Sequence, residues 1–159
     1  MSETIIEGNL QIVVFSLLDS KLNKKEEYGV LLEQVREIRP LESITKVPNA
    51  KSYVLGVMNL RGMIVPVIDV KEKLGFSSDG TSSPKARVLV ADVGGHLTGL
   101  LIDEVDQVMR ITSKEVETNL SGGLESLEYV KGVAKISGRL VVLVDMGKLL
   151  KDTTSVQET

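Results

Sequence analysis

The chain of 159 residues contains no cysteine and no tryptophan. Without thiols it can form no disulfide, use no cysteine nucleophile and build no thiolate metal site. Aromatic residues make up only 3% of the chain, so the core must rest on Val, Leu and Ile, and there is little on which bases could stack. The one histidine, His96, follows Gly94-Gly95 in a turn and cannot by itself assemble a catalytic triad. No apolar run approaches the ~18 residues a membrane span requires. The opening MSETIIEGNL lacks the basic and apolar regions of a signal peptide. Neither sign of charge dominates: residues 1–80 carry 10 basic and 11 acidic side chains, and residues 81–159 carry 9 and 11. No basic face is implied, so nucleic acid and membrane insertion are not expected. These absences point to a cytoplasmic protein.

Hydrophobic residues form 42% of the chain, enough for a packed core. The stretch VLGVMNLRGMIVPVIDVKEKLG, residues 54–75, organises the rest. Two apolar runs flank Gly62, which supplies the positive φ a hairpin turn needs. That places Arg61 at the tip, in water. Pro66 donates no ladder hydrogen bond, which predicts an edge strand or a bulge. Asp69 is positioned to cap a following helix, Glu72 to complete a capping box and Gly75 to end the helix.

Along the chain, residues 1–8 read as a flexible lead-in, 10–18 as a strand, 19–27 as a polar turn region and 28–32 as a second strand. Residues 33–39 read as one or two helical turns stopped before Pro40. The Ser/Gly-rich residues 76–85 read as a linker. Strands are expected at 87–93, 97–102 and 105–111, and a short helix at 113–119 with Ser113 as its cap. A hairpin at 130–144 turns at Ser137-Gly138, a short helix starts at Met146, and 152–159 read as a flexible tail.

The chain repeats itself. Val54, Gly56, Val57, Gly62, Val65 and Asp69 meet Val130, Gly132, Val133, Gly138, Val141 and Asp145 at an offset of 76. Gly29, Leu32, Glu33, Val35 and Ile38 meet Gly99, Ile102, Asp103, Val105 and Val108 at an offset of 70. Two copies of short strands predict a mainly β fold of two similar small barrels with a few short helices, barrel one at about 9–80 and barrel two at about 81–151 of a single domain, 9–151. Shared residues serve the shared fold: Gly62 and Gly138 the turns, Asp69 and Asp145 the helix caps. Arg61, matched by Ser137, and Glu37, matched by Gln107, have no such explanation.

Catalysis finds no support. Asp69 and Asp145 could suggest a carboxylate pair sharing a proton, as in a hydrolase, but each is followed by a helix start rather than by a small-residue turn. No phosphate loop, metal motif or dinucleotide fingerprint is present, and no cofactor is expected. A binding module remains. An oligonucleotide- or oligosaccharide-binding small barrel is the alternative, weakened by the missing basic face and scarce aromatics.

At Tyr28-Gly29-Val30, Val35-Arg36-Glu37-Ile38-Arg39, Gly56-Val57-Met58-Asn59-Leu60-Arg61-Gly62 and Val65-Pro66-Val67-Ile68-Asp69, the chain resembles the CheW family of bacterial chemotaxis coupling proteins. The likeness runs from about residue 10 to 150, which implies a free-standing coupling protein rather than a module of a kinase or of CheV. It implies two intertwined five-stranded barrels and an adaptor joining the cytoplasmic hairpin of chemoreceptors to the histidine kinase CheA, recruited to receptor clusters at the inner face of the membrane. By matching position it implies receptor or array contacts at Val35, Glu37, Gly56, Arg61 and Val108. A receptor helix would lie in a groove against Val35 and Val108, with Glu37 and Arg61 at the rim. Kinase contacts are expected on an exposed apolar edge of the second barrel, at Val133 and Leu143.

Overall fold

The longest strand, β1 (Asn9–Asp19), is covered on both faces from Ile12 to Leu17. Side chains alternate along a strand, so a run of this kind must serve two cores at once. Ile12 and Val14 pack with Ile111, Ala134, Val141 and Leu143. Val13, Phe15 and Leu17 turn the other way and pack with Leu89, Ala91, Leu100, Ile102 and Met146. A third cluster holds Met58, Leu60, Val65, Val67, Val88 and Val90. The molecule therefore has one core inside each sheet and a central core between the sheets. All five aromatic residues of the chain lie in or against the central one.

The computed structural model describes residues 9–76, 83–118, 120 and 128–151. After β1 come β2 (Lys24–Leu31), β3 (Val35–Pro40), β4 (Val54–Leu60), β5 (Met63–Asp69) and the helix α1 (Val70–Leu74). Then follow β6 (Arg87–Val93), β7 (His96–Ile102), β8 (Glu104–Thr112), β9 (Val116–Glu117), β10 (Val130–Ile136), β11 (Arg139–Val144) and α2 (Met146–Leu149). One sheet runs β8-β1-β2-β11-β10-β9 and the other β3-β6-β7-β5-β4. The first has a sixth strand because the two-residue β9 pairs with β10.

Each sheet takes strands from both halves of the chain. Val67 of β5 pairs in parallel with Gly99 of β7, and Leu143 of β11 with Gly29 of β2, the same pairing at offsets of 76 and 70. The fold is mainly β and intertwined, as expected, but its two sheets do not divide at residues 80/81. The hairpins repeat in detail. β4 and β10 share one burial pattern, both carry a bulge at their second residue, and both turns place two residues at positive φ: Arg61 and Gly62, Ser137 and Gly138. Two consecutive positive φ values are what a two-residue hairpin turn requires, so Arg61 shares the strained conformation expected of Gly62 alone.

Several local expectations differ from the structure. Residues 33–39 are not helical: a 3-10 turn, Leu32–Gln34, leads into β3, which pairs with β6 more than 45 residues away. Lys24 to Glu27 belong to β2, where cross-strand pairing with β1 overrides their polar composition. Pro66 is on an internal strand, and the pairing of β5 with β7 covers only Val67 to Asp69. Glu72 closes no capping box, because the Asp69 backbone N–H donates to the Tyr53 carbonyl at 2.8 Å. The helix at 113–119 is a 3-10 turn, Ser113–Glu115, capped by Thr112 with Glu115 returning the bond, followed by β9. The expected lead-in 1–8, most of the expected linker 76–85 and the expected tail 152–159 lie outside the described residues.

Candidate functional site

The five-stranded sheet is open in its strand order, and the chain beyond one edge bridges to the other. β3 is one edge and β4 the other. The chain leaving β3 reaches β4 at Thr45, where N–H donates to the Val57 carbonyl at 2.9 Å and C=O accepts from Val57 at 2.8 Å. Gly56 lies beneath this bridge. It is buried with φ 149°, and a Cβ there would stand 2.1 Å from the Thr45 carbonyl oxygen. At Gly132, its repeat partner, a Cβ would stand 3.0 Å from a Val116 methyl and 3.2 Å from the Glu117 carbonyl oxygen, where β9 pairs with β10. Gly56, expected as a receptor contact, is thus buried where the chain beyond β3 bridges to β4.

A second link joins the same two edges. Arg61, at the β4–β5 tip, donates to both carboxylate oxygens of Glu37 on β3, one of these bonds being 3.4 Å long. Arg39 adds a bond to Glu37 at 3.4 Å and pairs with Glu42 at 3.2 Å. The Arg61 hydrogen bond is the main reason the Glu37 carboxyl sits below its usual range, and the Arg61 guanidinium is held correspondingly above its own. The Arg61 side chain is 63% exposed and that of Glu37 is 24% exposed. The two residues that the repeat left without a fold-level role are thus partners of each other.

The other sheet has a comparable clasp built from different positions. Arg139, opening β11, donates to Glu27 at 3.0 and 2.6 Å and to Asp106 of edge strand β8 at 2.9 Å. Glu27 first, then Asp106, raises its pKa. Beside each clasp lie exposed apolar side chains, again matched by the repeat. Ile38 on β3 and Val108 on β8 correspond, at 41% and 50% exposure; Ile64 on β5 and Leu140 on β11 correspond, at 67% and 63%. An exposed large apolar residue in one copy is ordinary, whereas the same exposure at both matched positions marks a surface property of the fold.

Val35 and Val108 lie on edge strands of different sheets. Val35 is half-buried against the central core. A cavity of about 300 Å³ is lined by Leu10, Ile12, Leu31, Leu143, Glu33 and Lys131, with Val35 and Val108 not among its walls. Leu143, expected at an exposed edge, is 5% exposed and faces the core of its own sheet. Val133 is on β10, which is flanked by β9 and β11 rather than at an edge. The surface residues missed by the sequence reading are Ile64 and Leu140. The offset of 76 pairs them, and each precedes a buried valine, Val65 or Val141, as strand alternation requires.

Asp69 and Asp145 act as caps. Asp69 accepts from the backbone N–H of Lys71 and Glu72, and Asp145 from that of Lys148. Burial outweighs those bonds and raises the Asp69 pKa. Among the described residues no group of three or more His, Asp or Glu is disposed to hold a metal, and no helix is long and apolar enough to cross a membrane.

The family description "CheW-like domain" matches residues 16–154. The chain is 34% identical over 127 residues to the chemotaxis protein CheW of Klebsiella aerogenes, covering 79% of this chain and 75% of that protein. It is 30% identical to the probable chemotaxis protein CheW of Rhizobium etli over 96% of this chain and 95% of that one. The crystal structure of the scaffolding protein TtCheW from Thermoanaerobacter tengcongensis superposes with a TM-score of 0.78 at 30% identity, over 91% of this chain and 94% of its own.

Proposed function

Because the chain belongs to the CheW-like domain family, we propose that it is a non-catalytic chemotaxis adaptor that joins the cytoplasmic hairpin of chemoreceptors to the histidine kinase CheA. The observation that carries this reading is the doubled surface. Ile38 and Ile64 on one sheet are matched by Val108 and Leu140 on the other, all exposed, each pair beside an arginine clasp. An adaptor needs two docking faces on one body, and a duplicated scaffold supplies them.

The receptor helix lies along the edge strands, against Val35 and Ile38 of β3 and Val108 of β8. Glu37 and Arg61 set its register from the rim. The kinase docks on the hairpin face around Leu140, which takes the role expected of Leu143, with Val133 behind it. Apolar anchors carry most of the affinity, while the rim charges act on encounter rate and register and weaken as salt rises. No chemistry is required, since holding two partners together raises their effective concentration. The protein works in the cytoplasm and reaches the membrane only through the receptor.

Co-sedimentation with receptor-containing membranes, with and without CheA, tests this. Val108→Asp is expected to abolish sedimentation with receptor alone. Leu140→Asp is expected to sediment with receptor but leave CheA in the supernatant. Sedimentation of both variants with both partners at the level of the parent protein would overturn the reading.

A further inference from the structure

The chain crosses between the sheets twice, and among the described residues one crossing is held by a buried ion pair. Asp103 is the residue at which β7 of one sheet gives way to β8 of the other. Its carboxylate accepts from the Leu18 backbone N–H of β1 at 2.6 Å, and from Lys71 Nζ of α1 at 3.1 and 3.3 Å. Both residues are 8% exposed. β1 belongs to one sheet and α1 continues directly from the other, so a single carboxylate holds both. The matching crossing is Leu32–Gln34, between β2 and β3. There Glu33 replaces Asp103 and is exposed, and Gly147 replaces Lys71. A cavity wall runs past Leu31 and Glu33 on that side.

The second lysine of α1 points to the same conclusion independently. Lys73 Nζ stands 3.8 Å from the centre of the Tyr53 ring and 5.7 Å from that of Tyr129. These tyrosines are repeat partners, one preceding β4 and the other β10, on opposite sheets. Lys73 is matched by Leu149, so neither lysine belongs to the shared fold. At these two positions α1 carries cations where its copy has none: Lys71 reaches the carboxylate at the crossing between the sheets, and Lys73 reaches rings that precede a strand of each.

We propose that Lys71 and Asp103 are positioning residues: their buried ion pair sets how the two sheets sit against each other, and thereby the relation of edge strands β3 and β8. The central core supplies most of the adhesion between the sheets, but apolar packing is non-directional. A buried charge pair with a defined geometry selects one arrangement among several of similar apolar contact. Its consequence for partners rests on the adaptor reading above; its consequence for the molecule does not.

The chain has no cysteine, so Met63→Cys on β5 and Lys135→Cys on β10 provide the only thiols for a pair of spin labels, one on each sheet. The labelled parent is expected to give one narrow peak of inter-label distance. Lys71→Met/Asp103→Leu removes both charges together, which keeps a buried pair position packed. This variant leaves the Leu18 amide without its acceptor and is expected to melt somewhat below the parent while staying folded, to lose the single narrow peak and to co-sediment less with receptor membranes. A folded variant that keeps the narrow peak overturns the proposal. A broadened peak with undiminished co-sedimentation overturns its link to docking. Asp103→Asn, which keeps an oxygen for the Leu18 amide, gives the same comparison where the double variant does not fold. Failure of the unsubstituted protein to sediment with receptor would refute the adaptor reading and leave the distance result standing.

Discussion

The Arg61 guanidinium at the tip of the β4–β5 hairpin is hydrogen-bonded to both oxygens of Glu37, on the opposite edge of the same sheet. A cation that the sequence places free in water is therefore already engaged. A partner that uses Arg61 must either displace Glu37 or recognise the pair as a neutral unit.

Truncation of each partner separates these cases. If Glu37 is displaced, Arg61→Ala and Glu37→Ala have opposite effects on receptor affinity; if the pair is read as a unit, both weaken it and the double variant is no worse than either. The pair as a unit is the expected outcome, because the Arg39 bond also holds Glu37 in place. Receptor co-sedimentation of the three variants decides it.

The same contact sets a pH dependence. Glu37 titrates below its ordinary value chiefly through the Arg61 hydrogen bond. A carboxyl whose folded pKa is depressed contributes stability above its unfolded pKa and loses that contribution as pH falls through the folded value. The clasp should thus persist below the pH at which an ordinary glutamate protonates. Carboxyl NMR titration is expected to show the Glu37 pKa rising toward the normal range in Arg61→Ala, with no comparable change in Ser137→Ala.

Gly56 and Gly62 are both at positive φ but differ in surroundings. Nothing lies within 4 Å of a Cβ at Gly62, so Gly62→Ala carries only the left-handed backbone cost, roughly 1–2 kcal/mol. Gly56→Ala adds the collision with the Thr45 carbonyl and breaks the bridge from the chain beyond β3 to β4. Its cost is expected to exceed about 3 kcal/mol, with hydrogen exchange at the Thr45 and Val57 amides accelerated well before global unfolding. Urea denaturation of the two variants gives the comparison, and equal costs would contradict the collision at the bridge.

How far such features could be read in advance depended on whether their causes are local. The β4–turn–β5–helix unit was legible because Gly62, Asp69 and Gly75 act within a few residues of themselves. β3 was not. Val35 and Ile38 are three apart, which reads as a helical face, and only pairing with Arg87 to Ala91 makes them a strand. Leu143 and Leu140 could not be told apart by hydropathy; which one faces inward follows from the pairing of β11 with β2 and β10. At the site, the repeat singles out Glu37 and Arg61 as unshared residues. Their contact depends on how the sheet brings β3 and the β4–β5 tip together, which no short window of sequence contains.

Tyr28 offers an alkaline counterpart. Burial, with smaller effects from Glu26 and Asp19, pushes its phenol up to about 12. Its ring stacks with that of Phe15 and lies tilted to that of Phe76 in the central core. A group held neutral in the folded state contributes stability below its unfolded pKa of about 10 and loses it as pH rises toward the folded value. Ultraviolet titration should show a phenol ionisation near pH 12, with stability falling between about pH 10 and 12. Tyr28→Phe should remove that late step and flatten the decline.

The matching crossing can be given the missing lysine. Gly147 matches Lys71 in the repeat, its φ is not in the left-handed range, and a Cβ there meets only the Asp145 carboxylate oxygen at 3.5 Å, an ordinary contact. Gly147→Lys therefore introduces a side chain without backbone strain, aimed by the pseudo-symmetry at Glu33. Because Glu33 is exposed, the new pair is worth about 0.2–1 kcal/mol. Replacing glycine within α2 contributes a further ~1 kcal/mol. The charge term is isolated by comparing Gly147→Lys with Gly147→Ala, each alone and combined with Glu33→Gln. A stability difference that disappears on Glu33→Gln and shrinks with added salt identifies the pair. Equal stabilities for the Lys and Ala variants would mean that the two crossings, though matched in sequence, do not present these positions to each other.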